Sequence, residues 1–279
     1  QTTGFFGKLA NSHTTLMNAL DREGITSFPR TPTLTPVARF EFFRKGDRPS
    51  GVWLVRQGAL RFALPITTGT KPGVADYLPA PHGLSGFAAP VEQIYPAMVP
   101  FVELEDGRTI VATDGADLIE PSVDGRALRV RWDRWAVLGA KSGELINVGL
   151  TSEVVWSIGK DTLTREELVT AKQPLRIRRW RFVVPATSAN IETLFVNNTR
   201  IDRFASSQGN LEVKILETSF PITRRVVATG DSPLGRGVRG AIPLHLSFEA
   251  TDLRAQAAEP LRFRIEFSVS TNTGTVKNQ

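Results

Sequence analysis

Tyr77, His82 and Tyr95 fall within one stretch of chain, Thr67 to Pro100, that carries six prolines, Pro100 included, and shows neither helical nor strand period. A phenol or an imidazole beside a uronate sugar can take the proton next to the carboxylate, which is the opening step of β-elimination. The developing charge then needs a cation or a neutral polar group against it. Arg61, Arg129 and Arg131 are the candidate partners for the sugar carboxylate. A guanidinium grips a carboxylate through two parallel hydrogen bonds, which an ammonium cannot do. Tyr77, His82 and Tyr95 are therefore expected as proton handlers or sugar contacts, and the plain alternative is that they pack the loop. Long ordered loops held by a rigid scaffold are where function concentrates.

Other chemistries find less support. Cysteine is absent, which removes disulfides, thiolate catalysis and zinc–cysteine sites. His13, His82 and His245 lie in different segments, with no H-E-x-x-H or H-x-H spacing, so no metal is expected, nor any cofactor. Gly83-Leu84-Ser85-Gly86 lacks the spacing of a serine-hydrolase elbow. Carboxylates at Glu103, Glu105, Asp114, Asp117 and Glu120 allow a glycosidase pair to be drawn, but Asp106, Asp114 and Asp124 already have a reason to be there as turn residues. Gly235 to Gly240 spells G-x-G-x-x-G. Dinucleotide binding would need a helix directly after it, and Ala241 to Phe248 is strand-like with a proline, so a glycine-rich loop between strands is expected.

The elements that must position these residues are strands. Leu128 to Trp132, Leu175 to Phe182 and Leu261 to Phe267 alternate apolar residues with arginines. Period two buries one face and sends guanidinium groups to the other. Asp106-Gly107, Asp114-Gly115 and Asp124-Gly125 sit between alternating segments and predict an antiparallel meander. Further strands are predicted over 39–44, 52–57, 59–66, 145–150, 153–158, 193–196, 211–217, 223–228 and 242–249, with a short helix in Asp161 to Thr170 on the capping spacing of Thr164 and Glu167. Trp132 and Trp135, three apart, are expected on opposite sides of one strand. All five tryptophans are read as core. Gly4 to Leu20 carries an apolar stripe at helical spacing (Phe6, Leu9, His13, Leu16, Met17, Leu20), and a linker with Pro29, Pro32 and Pro36 follows it. The fold class is thus mainly β: a large antiparallel β-sandwich with one N-terminal helix and a smaller C-terminal β domain. The expected divisions are 1–36 for helix and linker, 37–189 for the large sandwich and 190–279 for the smaller domain.

The net charge is +6 and the isoelectric point about 10.0, which suits an acidic polysaccharide or oligosaccharide as partner. Nucleic acid is not expected, since no basic stretch with clustered aromatics appears. No apolar run approaches the roughly 20 residues of a membrane span, so no membrane partner is expected either. The chain opens at Gln1, and the expectation is a removed leader or a piece of something longer, secreted or periplasmic.

The order of elements resembles the C-terminal half of the heparinase II/III-like and related polysaccharide lyases. The shared features are an amphipathic helix at Phe5 to Leu20, a proline linker, antiparallel strands from Val37 to Val184, and a smaller β region after Asn190. The resemblance is one of architecture, without a diagnostic motif. It implies a β-supersandwich, with much of the catalytic machinery in a helical domain that this chain lacks and that would be its partner. It also implies metal-binding histidines that find no clear counterpart here. The sequence leaves two functions open: a carbohydrate-associated module, lyase-like if it is an enzyme, or a non-catalytic structural or interaction module with a basic surface.

Overall fold

The computed structural model describes residues 36–66, 99–112, 116–138, 144–186, 191–206, 209–228 and 244–271. Residues 36–279 form one compact unit. Among the described residues there are strands and no helix. In chain order they are β1 (Val37–Arg44), β2 (Ser50–Gln57), β3 (Leu60–Ile66), β4 (Pro100–Leu104), β5 (Thr109–Val111), β6 (Leu118–Pro121), β7 (Ala127–Trp132), β8 (Trp135–Val137), β9 (Leu145–Ile146), β10 (Leu150–Ile158), β11 (Thr162–Ala171), β12 (Leu175–Ala186), β13 (Ile191–Val196), β14 (Thr199–Ser206), β15 (Gly209–Thr218), β16 (Thr223–Ala228), β17 (Leu244–Ala255) and β18 (Leu261–Thr271).

They form three antiparallel sheets: β1-β2-β3, an eight-stranded sheet β13-β14-β15-β18-β11-β10-β7-β6, and a seven-stranded sheet β16-β17-β12-β4-β5-β8-β9. The two large sheets pack face to face. Trp180 and Phe182 of β12 meet Phe263 of β18, with ring centroids 4.7 and 5.2 Å apart. Alternation explains which side chains go inward. Leu128, Val130 and Trp132 of β7 are buried, as are Phe263, Ile265, Phe267 and Val269 of β18. All five tryptophans are buried, as expected. Trp53 of β2 ties the three-stranded sheet to this core: its indole N–H donates to the Gly125 carbonyl at 2.8 Å. Gly125 sits at φ +69°, and a Cβ there would strike the Ala38 carbonyl, so both the turn and the close approach of β1 need glycine.

Several expectations change. Asp106-Gly107 and Asp124-Gly125 do close hairpins, β4–β5 and β6–β7. But β5 and β6 belong to different sheets, so the segment is no single meander. The chain changes layer between Val111 and Leu118, because β5 finds β8 and β7 finds β10 as second neighbours. Asp114-Gly115 lies outside the described residues. Trp132 and Trp135 do not share a strand. The Asp117 carboxylate accepts the backbone N–H of Asp133 (2.7 Å) and Arg134 (3.1 Å) and turns the chain between β7 and β8.

The helix predicted in Asp161 to Thr170 is a strand, β11, paired with β10 on one side and β18 on the other. Two of its inward positions carry Arg165 and Glu167, which hid the alternation. Only Leu145–Ile146 of the predicted 145–150 strand forms β9, and Gly149 at φ +78° separates it from β10. Strand β14 was not predicted. The boundary placed at 189/190 does not separate the sheets either: β17 pairs with β12, and β18 with β11, across that point. The segment Gly4 to Leu20, the linker up to Thr35 and the 235–240 glycine run lie outside the described residues.

Candidate functional site

Of the six residues singled out by chemistry, three can be placed. Arg129 and Arg131 project from the outer face of β7, as alternation requires, with Leu128, Val130 and Trp132 buried beneath them. β7 is second from the edge of the eight-stranded sheet. Arg129 donates to both oxygens of Glu153 on β10, from Nε at 2.9 Å and from Nη2 at 2.8 Å, and its Nη1 donates to Glu120 on β6 at 2.9 Å. This fork holds the Glu153 carboxyl below its ordinary range, mainly through the hydrogen bonds from Arg129. It raises the Arg129 guanidinium in turn, chiefly through Glu153. Arg131 Nε lies 3.2 Å from Asp133.

Arg61 projects from the outer face of β3 and stands opposite Arg56 of β2. It belongs to the three-stranded sheet, so it does not share a sheet face with Arg129 and Arg131. Tyr77, His82 and Tyr95 lie outside the described residues. His245 is on β17.

The other arginine strands repeat the arrangement of β7. Arg262 and Arg264 of β18 both approach Glu166 of β11 at 3.8 Å. On β12, Arg176 pairs with Glu105 and Asp252, Arg178 with Glu103, and Arg181 with Glu249. Opposite charges across neighbouring strands support the pairing that places them. The arginines are legible in the sequence and, Asp133 beside Arg131 apart, their carboxylates are not, because cross-strand neighbours are set by register rather than by spacing along the chain.

Two features escaped the sequence reading. One is a charged pair inside the core. Arg165 and Glu167, both fully buried, bond at 3.1 Å, and the Ser152 hydroxyl donates to Glu167 at 2.6 Å. The Arg165 guanidinium lies over the rings of Trp156 and Phe182, 5.7 and 5.5 Å from their centroids. The i, i+2 spacing of an arginine and a glutamate in a strand was the available signal. The other is an open polar cleft of about 380 Å³, between the β4–β5 turn, Asn147 and Val148, and the start of β12. Among the described residues, no group of histidines and carboxylates is arranged to hold a metal, and no helix is long and apolar enough to cross a membrane.

No family model matches the chain, and no curated protein does. Solved structures that it resembles include a heparan sulfate lyase from Pedobacter heparinus, at 12% identity and TM-score 0.41 over 96% of this chain and 41% of that one. A polysaccharide lyase follows at 10% identity and TM-score 0.44, over 83% of this chain and 34% of that one. A 4-α-glucanotransferase from Thermococcus litoralis stands at 10% identity and TM-score 0.41, over 84% and 40%. The chain thus spans about two fifths or less of the length of each of these three proteins.

Proposed function

We propose that this chain is the β-sandwich module, supersandwich-like in architecture, of a secreted or periplasmic carbohydrate-active protein, and that it engages an acidic polysaccharide. The observation that carries the reading is the pair Arg129 and Arg131, side by side on the solvent face of β7. Their pairs with Glu120 and Asp133 are exposed on both sides (43% for Arg129, 40% for Arg131), while Glu153, which Arg129 grips through two bonds, is half-buried. Exposed single contacts of this kind contribute only about 0–1 kcal/mol, so a polyanion can compete at small cost for Arg131 and for the Glu120 side of Arg129. Arg61 is a further cation toward the same partner, and Tyr77, His82 and Tyr95 are the proposed proton handlers. A partner helical domain would complete a lyase.

A second reading, a non-catalytic structural or interaction module, is favoured by one observation. Arg129, Arg131, Arg176, Arg178, Arg181, Arg262 and Arg264 each face a carboxylate of the same unit. Such ladders make a charge-balanced face rather than a cationic one.

The test is incubation with uronate-containing polysaccharides, following the ultraviolet absorbance of the unsaturated product, with binding measured in parallel. Activity supports the lyase, and salt-sensitive binding without activity supports an accessory module. Arg129→Gln with Arg131→Gln is expected to weaken binding by about 1–3 kcal/mol. Unchanged binding in that double variant removes these arginines from the site, and absence of both binding and activity leaves the structural reading.

A further inference from the structure

We propose that the cleft beside the β4–β5 turn is a separate binding site for a neutral, polyhydroxylated ligand of the sugar class. Its volume, about 380 Å³, lies within the range of small-molecule sites. Its lining combines apolar Leu104, Val148, Pro174 and Leu175 with polar Glu105, Asp106, Arg108, Arg176 and Asn147. Two guanidinium groups face two carboxylates, so the lining has no net charge.

The polar groups are held in place by the chain. Asp106 accepts the backbone N–H of Arg108 at 2.9 Å and its side-chain Nε–H at 2.7 Å, closing a turn in which Gly107 sits at φ +83°. Arg176 reaches across from β12 to Glu105 at 3.0 Å and to Asp252 at 3.2 Å. Asn147 accepts the Gly149 N–H at 2.8 Å through its side-chain oxygen, which leaves the amide nitrogen as a donor. Planar groups fixed in this way offer donors and acceptors without further ordering, which lowers the cost of binding.

The pairing favours a neutral ligand. An anion gains a guanidinium here only by displacing the carboxylate already on it, Asp106 from Arg108 or Glu105 from Arg176, and so exchanges one exposed pair for another. A sugar hydroxyl donates to a carboxylate and accepts from a guanidinium at once, so vicinal hydroxyls can bridge the existing pairs and keep them. The C–H face of the ring then packs against the apolar part of the lining. This site does not depend on the acidic-polysaccharide reading, which rests on a different face of the molecule.

The experiment is amide NMR of the full chain, titrated with the neutral disaccharides cellobiose and maltose and, separately, with glucuronate. Saturable shifts are expected at Gly107, Arg108, Gly149 and Arg176 with a neutral sugar, unchanged at high salt. Asp106→Ala with Arg176→Ala, both exposed positions, is expected to weaken that affinity about tenfold or more, while Arg129→Gln with Arg131→Gln leaves it unchanged. Shifts absent from those amides, or confined to other parts of the chain, overturn the site. Tighter binding of glucuronate that fades with salt overturns the neutral ligand class.

Discussion

At the residue scale the most consequential groups are Arg165 and Glu167, an ion pair buried inside the core. Taking both charges out of water costs several kcal/mol per ion, and the pair survives because Ser152 and two aromatic faces share the load. Glu167→Ala leaves an uncompensated buried guanidinium, and urea denaturation should show a loss of about 3–5 kcal/mol. Arg165→Met with Glu167→Leu removes both charges together, and the same measurement should show little change or a gain of about 1–4 kcal/mol. Glu153 behaves differently, since it sits on the outer face. Its carboxyl is held below the ordinary 4.5, first by hydrogen bonds from Arg129. A depressed carboxyl contributes stability above its unfolded pKa and loses it as pH falls through the folded one. Glu153→Gln should therefore lower stability at neutral pH, and unfolding followed from neutral pH downward should show a flatter acid limb than wild type. An acid limb identical to wild type would remove Glu153 from the account.

At the element scale the tight turn between β13 and β14 can be tested by itself. Asn197 and Asn198 have φ of +48° and +61°, the two left-handed positions of a two-residue hairpin. Asparagine tolerates this conformation and a β-branched residue does not. Asn198→Gly should hold or raise the thermal midpoint, and Asn198→Val should lower stability by about 1–2 kcal/mol. Strand β14 itself was illegible in the sequence. Its Thr199-Arg200-Ile201-Asp202-Arg203 stretch puts a carboxylate at a core-facing position, where Arg224 of β16, in the other large sheet, reaches Asp202 at 2.7 Å and the Thr193 hydroxyl of β13 donates to it at 3.1 Å. Strand β11 was misread for the same reason. Where an inward position is charged, local periodicity cannot reveal the strand, whether the partner is distant, as Arg224 is from Asp202, or two residues along the same strand, as Glu167 is from Arg165. Where the inward residues are plainly apolar, as in β7, β12 and β18, the strands stand almost where the alternation put them.

At the scale of the whole molecule, the strands on either side of residue 190 are hydrogen-bonded within the same two sheets. Residues 36–279 should therefore lose their structure together, with far-ultraviolet dichroism and tryptophan fluorescence reporting one coincident transition. A fragment ending at residue 189 should fail to fold, since β11 and β12 would lose the neighbours β18 and β17. Two resolved transitions, or a folded fragment, would restore a division near residue 190. The strand-rich class, the two Asp-Gly hairpins and the outward placement of Arg129 and Arg131 were settled by the sequence alone. Each of these depends on contacts within a few residues or on the two-residue period of a strand. The assignment of strands to sheets, the carboxylate beside each exposed arginine, the buried Arg165–Glu167 pair and the cleft at the β4–β5 turn were decided only by the tertiary structure. Most of these join segments far apart in the chain, and even Arg165 and Glu167, two residues apart, are buried by contacts from β10 and β12; the register comes from the packing of two sheets against one core rather than from any local preference of the chain.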